Sequence, residues 1–158
     1  MILLSIDELK SNLPKGTSIL GLDLGSRTIG LAISDPTCLI ASPLKTLQRH
    51  KFSDDARALD EIINSNNVGG LVVGLPVTMA GTEGARCQST RQFATNFQSH
   101  REIGITFWDE RLSTVAVERI LINEADMTRQ KRRLVIDKMA ATYILQGALD
   151  SLSTNKFG

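Results

Sequence analysis

Three acidic residues stand where acids are costly: Asp23, Glu110 and Asp137. Asp23 interrupts the apolar run Ile19-Leu20-Gly21-Leu22-Asp23-Leu24, and Glu110 closely follows Ile105-Thr106-Phe107-Trp108. Asp137 falls in LVIDKMAATYILQ, spaced by three and four from Ala140, Ala141, Ile144 and Ala148, so on a helix it shares their buried stripe. An ionised carboxylate in such a place needs hydrogen-bond donors or a cation. Three inward carboxylates at one end of a sheet would repel one another unless a dication sat between them. An oxygen-only set with no His or Cys suits a hard cation, Mg²⁺ or Mn²⁺. The chemistry that fits is two-metal phosphodiester hydrolysis, one ion activating water and the other stabilising the leaving oxygen. Each acid also has a plainer reading. Asp23 would cap the Gly25 turn, Glu110 would pair with Arg111, and Asp137 would be a helix-start acid favoured by the dipole.

The basic residues lie close to these acids. Arg27 follows Asp23, Arg111 follows Glu110, and Arg129, Lys131, Arg132 and Arg133 precede Asp137. Such cations hold phosphates of a nucleic acid without reading its sequence. Taken alone, RQKRR reads as a solvated loop; its place ahead of Asp137 points to substrate. Gly74-Leu75-Pro76 and Gly81-Thr82-Glu83-Gly84 form a loop whose amides could meet phosphate. His50 and His100 read as solvated surface residues, and Trp108 as core.

The elements that must position these groups can be read from periodicity. Residues 18–34 give two alternating strands joined by a tight turn at Gly25-Ser26-Arg27. Ser5-Ile6-Asp7-Glu8 has capping-box spacing and predicts a short helix to about Leu13, ended by Pro14 and Gly16 and packed on the sheet. Residues 38–47 predict a third strand, which Pro43 confines to an edge. A helix over 53–66, a buried strand over 70–75, a helix over 85–100 and a strand over 105–108 follow. Beyond them the pattern gives a helix over 114–123, a mobile basic loop over 124–133, a last helix over 135–152 and a frayed tail. The fold class is α/β: a five-stranded mixed sheet with helices on both faces. The strands at Ser18, Gly70 and Ile105 are expected to be parallel neighbours, the first central. Ligands in such sheets sit beyond the carboxyl ends of the parallel strands, where Asp23 and Glu110 both fall.

Length and composition set outer bounds. The chain has 158 residues, a formal net charge of +1 and two cysteines. One domain with a real core is expected, divided as a helical add-on (1–16), a main domain (17–152) and a tail (153–158). With so little net charge, any nucleic-acid surface must be a local patch. Two cysteines make no disulfide framework and predict free thiols. No apolar run approaches a membrane span, and the N-terminal stretch is too short and acidic for a secretory signal, so a cytoplasmic location is expected.

Four blocks together resemble one known family. They are Asp23-Leu24-Gly25-Ser26-Arg27-Thr28-Ile29-Gly30, the Gly74-to-Gly84 block, Asp109-Glu110-Arg111-Leu112-Ser113-Thr114, and Asp137 through Ala140-Ala141 to Ile144-Leu145-Gln146. In order and spacing they resemble the YqgF family, described as pre-16S ribosomal RNA nucleases and as Holliday-junction-resolvase-like. The match spans about residues 18–150; Ala80 stands where the family often has a polar residue, and the segment to Lys15 lies outside the family core. The resemblance implies a ribonuclease H-like fold and a cytoplasmic, metal-dependent nuclease acting on precursor rRNA. By motif, it makes Asp23, Glu110 and Asp137 the catalytic, metal-holding acids. A junction-resolving DNA endonuclease, expected to be dimeric, and a non-catalytic nucleic-acid- or transcription-factor-binding module stay open. So do monomer and dimer. An actin-like ATPase is disfavoured because the chain is too short for two lobes.

Overall fold

The computed structural model describes residues 5–77, 81, 83–110 and 129–155, and of the last stretch the side chains of 139–152. In chain order the elements are α1 (Ile6–Ser11), β1 (Ser18–Leu24), β2 (Thr28–Ser34), β3 (Ala41–Gln48), α2 (Phe52–Ser65), β4 (Val68–Leu75), α3 (Ala85–His100), β5 (Gly104–Asp109) and α4 (Arg129–Asn155). The sheet order is β3-β2-β1-β4-β5. β1 pairs antiparallel with β2 and parallel with β4, and β4 pairs parallel with β5. The predicted central strand is therefore central, with its two parallel partners on one side.

Alternation along the strands sends side chains to two separate cores. Leu20, Leu22 and Leu24 of β1 join Ile29, Leu31, Leu71, Val73 and Ile105 under α2 and α3, which contribute Leu59, Ile63, Phe93 and Phe97. Ile19, Ala32 and Val72 face the other way, with Ala141, Ile144, Leu145 and Ala148 of α4 and with Ile6 and Leu9 of α1. The sheet is thus sandwiched between helical layers, which matches the near-continuous apolar character of β1 and β4. At the start of α1 the Glu8 amide donates to Ser5 Oγ at 3.1 Å, the first half of the capping box read from sequence.

Several boundaries differ from expectation. β3 begins at Ala41 rather than Cys38. The cause is Asp35, whose carboxylate accepts from the amides of Leu39 and Ile40, each at 2.8 Å, and holds the segment as a turn. Cys38 within it sits at φ 60°. β3 is the edge strand that Pro43 suggested, with a register shift where Ala32 meets Pro43. The basic stretch Arg129–Arg133, expected as a loop, is the start of α4. Arg, Gln and Lys are good helix formers, and no Gly or Pro breaks the run. The helix expected over 114–123 and the rest of that loop, 124–128, lie outside the described residues. His100 is not merely solvated, since its Nε2 lies 2.5 Å from Asp60 Oδ2 and ties α3 to α2. Both cysteines are free and buried, and burial raises the Cys38 thiol pKa.

Candidate active site

The carboxyl end of β1 carries Asp23 on the face that α4 covers, the same face as Ile19 and Gly21. The strand register surrounds it with glycine. Gly30 of β2 stands opposite Asp23. On the other side Leu22 pairs with Val73, which brings Asp23 level with Gly74 one residue on. Cross-strand partners share a face, so the two positions beside Asp23 carry no side chain. That leaves room above the sheet beside a partly buried carboxylate.

Glu110 uses this space. It follows β5, two residues beyond Trp108, which pairs with Gly74. A Cβ built on Gly74 would stand 2.9 Å from Glu110 Oε1, 3.0 Å from Glu110 Cγ and 2.5 Å from Ile144 Cδ1. The Glu110 carboxyl group therefore lies directly over Gly74, in the strand position next to Asp23. A side chain at 74 would crowd both Glu110 and Ile144.

The third acid is carried by α4. That helix can approach closely only because of another glycine: a Cβ on Gly21 would meet Leu145 Cβ at 2.8 Å and the Ala141 carbonyl oxygen at 3.2 Å. Ala141 and Leu145 thus sit over the middle of β1, while Ala148, Leu149 and Leu152 join Ile6, Leu9 and Ile19 toward its start. Asp137 lies one helical turn before Ala141, on the part of α4 nearest the Asp23 end. Its side chain is outside the described ones. Arg129 and Arg133 precede it at intervals of four, which on a helix is one face. Arg111 lies outside the described residues. Arg27 is exposed in the β1–β2 turn.

The structure thus brings Asp23 and Glu110 to one glycine-floored end of one sheet face and puts the helix bearing Asp137 on that same face. No group of three metal-ligating side chains occurs among the described residues. Asp23 and Glu110 offer carboxylate oxygens, the donors that a hard divalent cation takes. What sequence reasoning missed is that floor. In the sequence Gly74 belongs to a candidate phosphate loop and Gly30 to a tight-turn strand; their place beside Asp23 comes from register across three strands. The sequence signal for it is a glycine inside each of two apolar strands, which often marks close backbone approach.

A sheet of this order and these helical layers defines a class, the ribonuclease H-like fold of the RuvC-type resolvases. Among solved structures the chain is similar to the yeast mitochondrial Holliday junction resolvase Ydc2, at a TM-score of 0.59 and 11% identity, covering 94% of this chain and 84% of that one. It is also similar to T. thermophilus RuvC solved with a Holliday junction substrate, at a TM-score of 0.53 and 12% identity, covering 87% and 96%. Within that class, the RuvX family model, described as Holliday junction resolvase, matches residues 17–151, and the chain belongs to this family. A relative from Phenylobacterium zucineum is 54% identical over 153 residues, covering 96% of this chain and 98% of its own. One from Rhodospirillum rubrum is 49% identical over 156 residues, covering 99% and 97%. Both carry the name "Putative pre-16S rRNA nuclease". The chain is accordingly a nuclease, a hydrolase of phosphodiester bonds.

Proposed function

We propose that this nuclease matures the 5′ end of pre-16S ribosomal RNA in the cytoplasm, using Mg²⁺ or Mn²⁺ held by Asp23, Glu110 and Asp137. The observation that carries the reading is the Glu110 carboxyl group resting over Gly74, in the strand position beside Asp23. The name shared by the relatives from P. zucineum and R. rubrum supports precursor rRNA as the substrate. The three carboxylates would hold the cation at the carboxyl end of the sheet. When bound, the cation supplies Lewis acidity toward the phosphodiester. Arg27, Arg111, Arg129, Lys131, Arg132 and Arg133 are assigned to the substrate backbone, where cations fix position rather than sequence. Arg129 and Arg133 precede Asp137 at intervals of four in the sequence, a spacing that supports a shared role toward one substrate strand. Residues 17–152 form the nuclease domain and 1–16 an add-on to it.

The test sets two substrates side by side: a fragment spanning the 5′ end of pre-16S RNA and a four-way DNA junction, each with Mn²⁺ or Mg²⁺. Cleavage of the RNA with the junction left whole is expected. Resolution of the junction with the RNA intact would transfer the site to DNA, and inertness toward both would remove the catalytic reading.

A further inference from the structure

A second feature lies at the same sheet end, on the opposite side of the β1–β2 turn from α4. It is a cleft of about 260 Å³ between that turn and the first turns of α3, lined among others by Gly25, Ser26, Arg49, Arg86 and Ser89. Its two ionisable lining residues are both arginines, and no acid lines it among the described residues. Arg49 is held in place from two directions. Its Nη1 donates to the Gly25 carbonyl at 2.5 Å, and its guanidinium lies 5.5 Å from the centre of the largely buried Phe93 ring. That leaves further N–H donors on a guanidinium whose position is already fixed. Arg86 is exposed, one turn before Thr90 on α3. Two hydroxyls, Ser26 and Ser89, complete a rim of hydrogen-bond donors. This donor set fits a tetrahedral anion: charge from the guanidiniums and neutral donors around it.

We propose that this cleft is a second phosphate subsite. It takes a backbone phosphate of the same strand whose scissile bond lies at Asp23, with Arg49 and Arg86 as positioning residues. The inference rests on the nuclease reading. Asp23 and Gly25 are two residues apart where β1 runs into its turn, at most about 7 Å, so one nucleic-acid strand laid across the carboxyl end of the sheet reaches both. Neither arginine was singled out by the sequence, because they are 37 positions apart and only the topology joins them.

The test is fluorescence anisotropy of a labelled single-stranded RNA from the pre-16S 5′ leader, titrated with the full chain in EDTA at several salt concentrations. Binding is read without cleavage, so a failure of catalysis in the unmodified protein does not affect it. Arg86→Ala is expected to weaken binding several-fold and to lower the salt slope by about 0.7, one phosphate contact on a single strand. Arg86→Lys is expected to restore most of the slope. Arg49→Gln is followed by amide shifts as well, since loss of its bond to Gly25 alters the turn; the RNA-induced shifts of Ser26 and Ser89 should shrink while the rest of the fold stays in place. An unchanged slope in Arg86→Ala would overturn the proposal. So would binding of a mononucleotide or inorganic phosphate that depends on Arg86 and exceeds that of the RNA, because the cleft would then serve a free ligand.

Discussion

At the scale of single residues, the pairing of Glu110 with a bare glycine decides how the site is built. Gly74→Ala should leave a folded protein, since the added methyl meets two side-chain ends, Ile144 Cδ1 and the Glu110 carboxyl, either of which can move. It should cost about 1–3 kcal/mol of stability as an overpacking change and reduce cleavage at least tenfold by displacing Glu110. Thermal unfolding and initial rates on the same preparation check both parts. An acid in an apolar strand could be recognised in the sequence because its cost is local. The glycines beside it could not, since nothing in a one-dimensional run tells which strand lies alongside. Asp35 shows a different residue-scale effect. The amide of Ile40 and the hydroxyl of Thr37, followed by the amides of Leu39 and Thr37, hold its carboxyl well below the ordinary value of 3.8, at about 2. A lowered folded-state pKa contributes stability that is present above the unfolded value and is lost as pH falls through the folded one. The stability gap between the natural chain and Asp35→Asn should therefore be constant near neutrality and shrink below about pH 4 toward pH 2. Urea unfolding across that range measures it, and a gap that grew on acidification would contradict the assignment.

At the scale of elements, α4 is the part that sequence patterning located least well. Its apolar stripe from Ala141 to Leu152 was legible because burial imposes a period near 3.6. Its first turns were not, because Arg129–Arg133 carries no apolar residue and periodicity is silent where nothing is buried. The strand β3 erred the other way: its apolar Leu39 and Ile40 look like strand residues, yet both are exposed, and Asp35 holds their amides in a turn. The seat of α4 on β1 depends on Gly21. Gly21→Ala would push a methyl against Leu145 Cβ and the Ala141 backbone oxygen, and backbone cannot step aside as a side chain does. The expected cost is about 1–3 kcal/mol, with a loss of cleavage larger than that of stability, because the helix bearing Asp137 lifts from the Asp23 end. A differential scanning measurement beside a rate assay separates the two. Equal, small losses in both would mean that α4 does not set the site.

At the scale of the whole molecule, the sheet order follows from rules of connection. Two antiparallel connections, β1 to β2 and β2 to β3, and then two crossovers, right-handed by the general rule, leave β1 in the middle, and the acids of β1 and of the segment after β5 fall at one end. That much was legible from strand order alone, and membership of the RuvX family agrees with it. The cleft that Arg49 and Arg86 line was less legible, since only folding brings the two residues to it. Among the described residues no helix is long and apolar enough to cross a membrane. The carboxylates of β1, of the segment after β5 and of α4 are expected to act together on one cleavage reaction. This joint action is tested most directly by the initial rate of Mn²⁺-dependent cleavage of the pre-16S fragment by Asp23→Asn, Glu110→Gln and Asp137→Asn, compared with the unmodified chain. An amide binds a hard cation far less well than a carboxylate, so each variant alone should lose at least a hundredfold in rate while remaining folded. Cleavage near the unmodified rate in any folded one of the three would contradict the shared site.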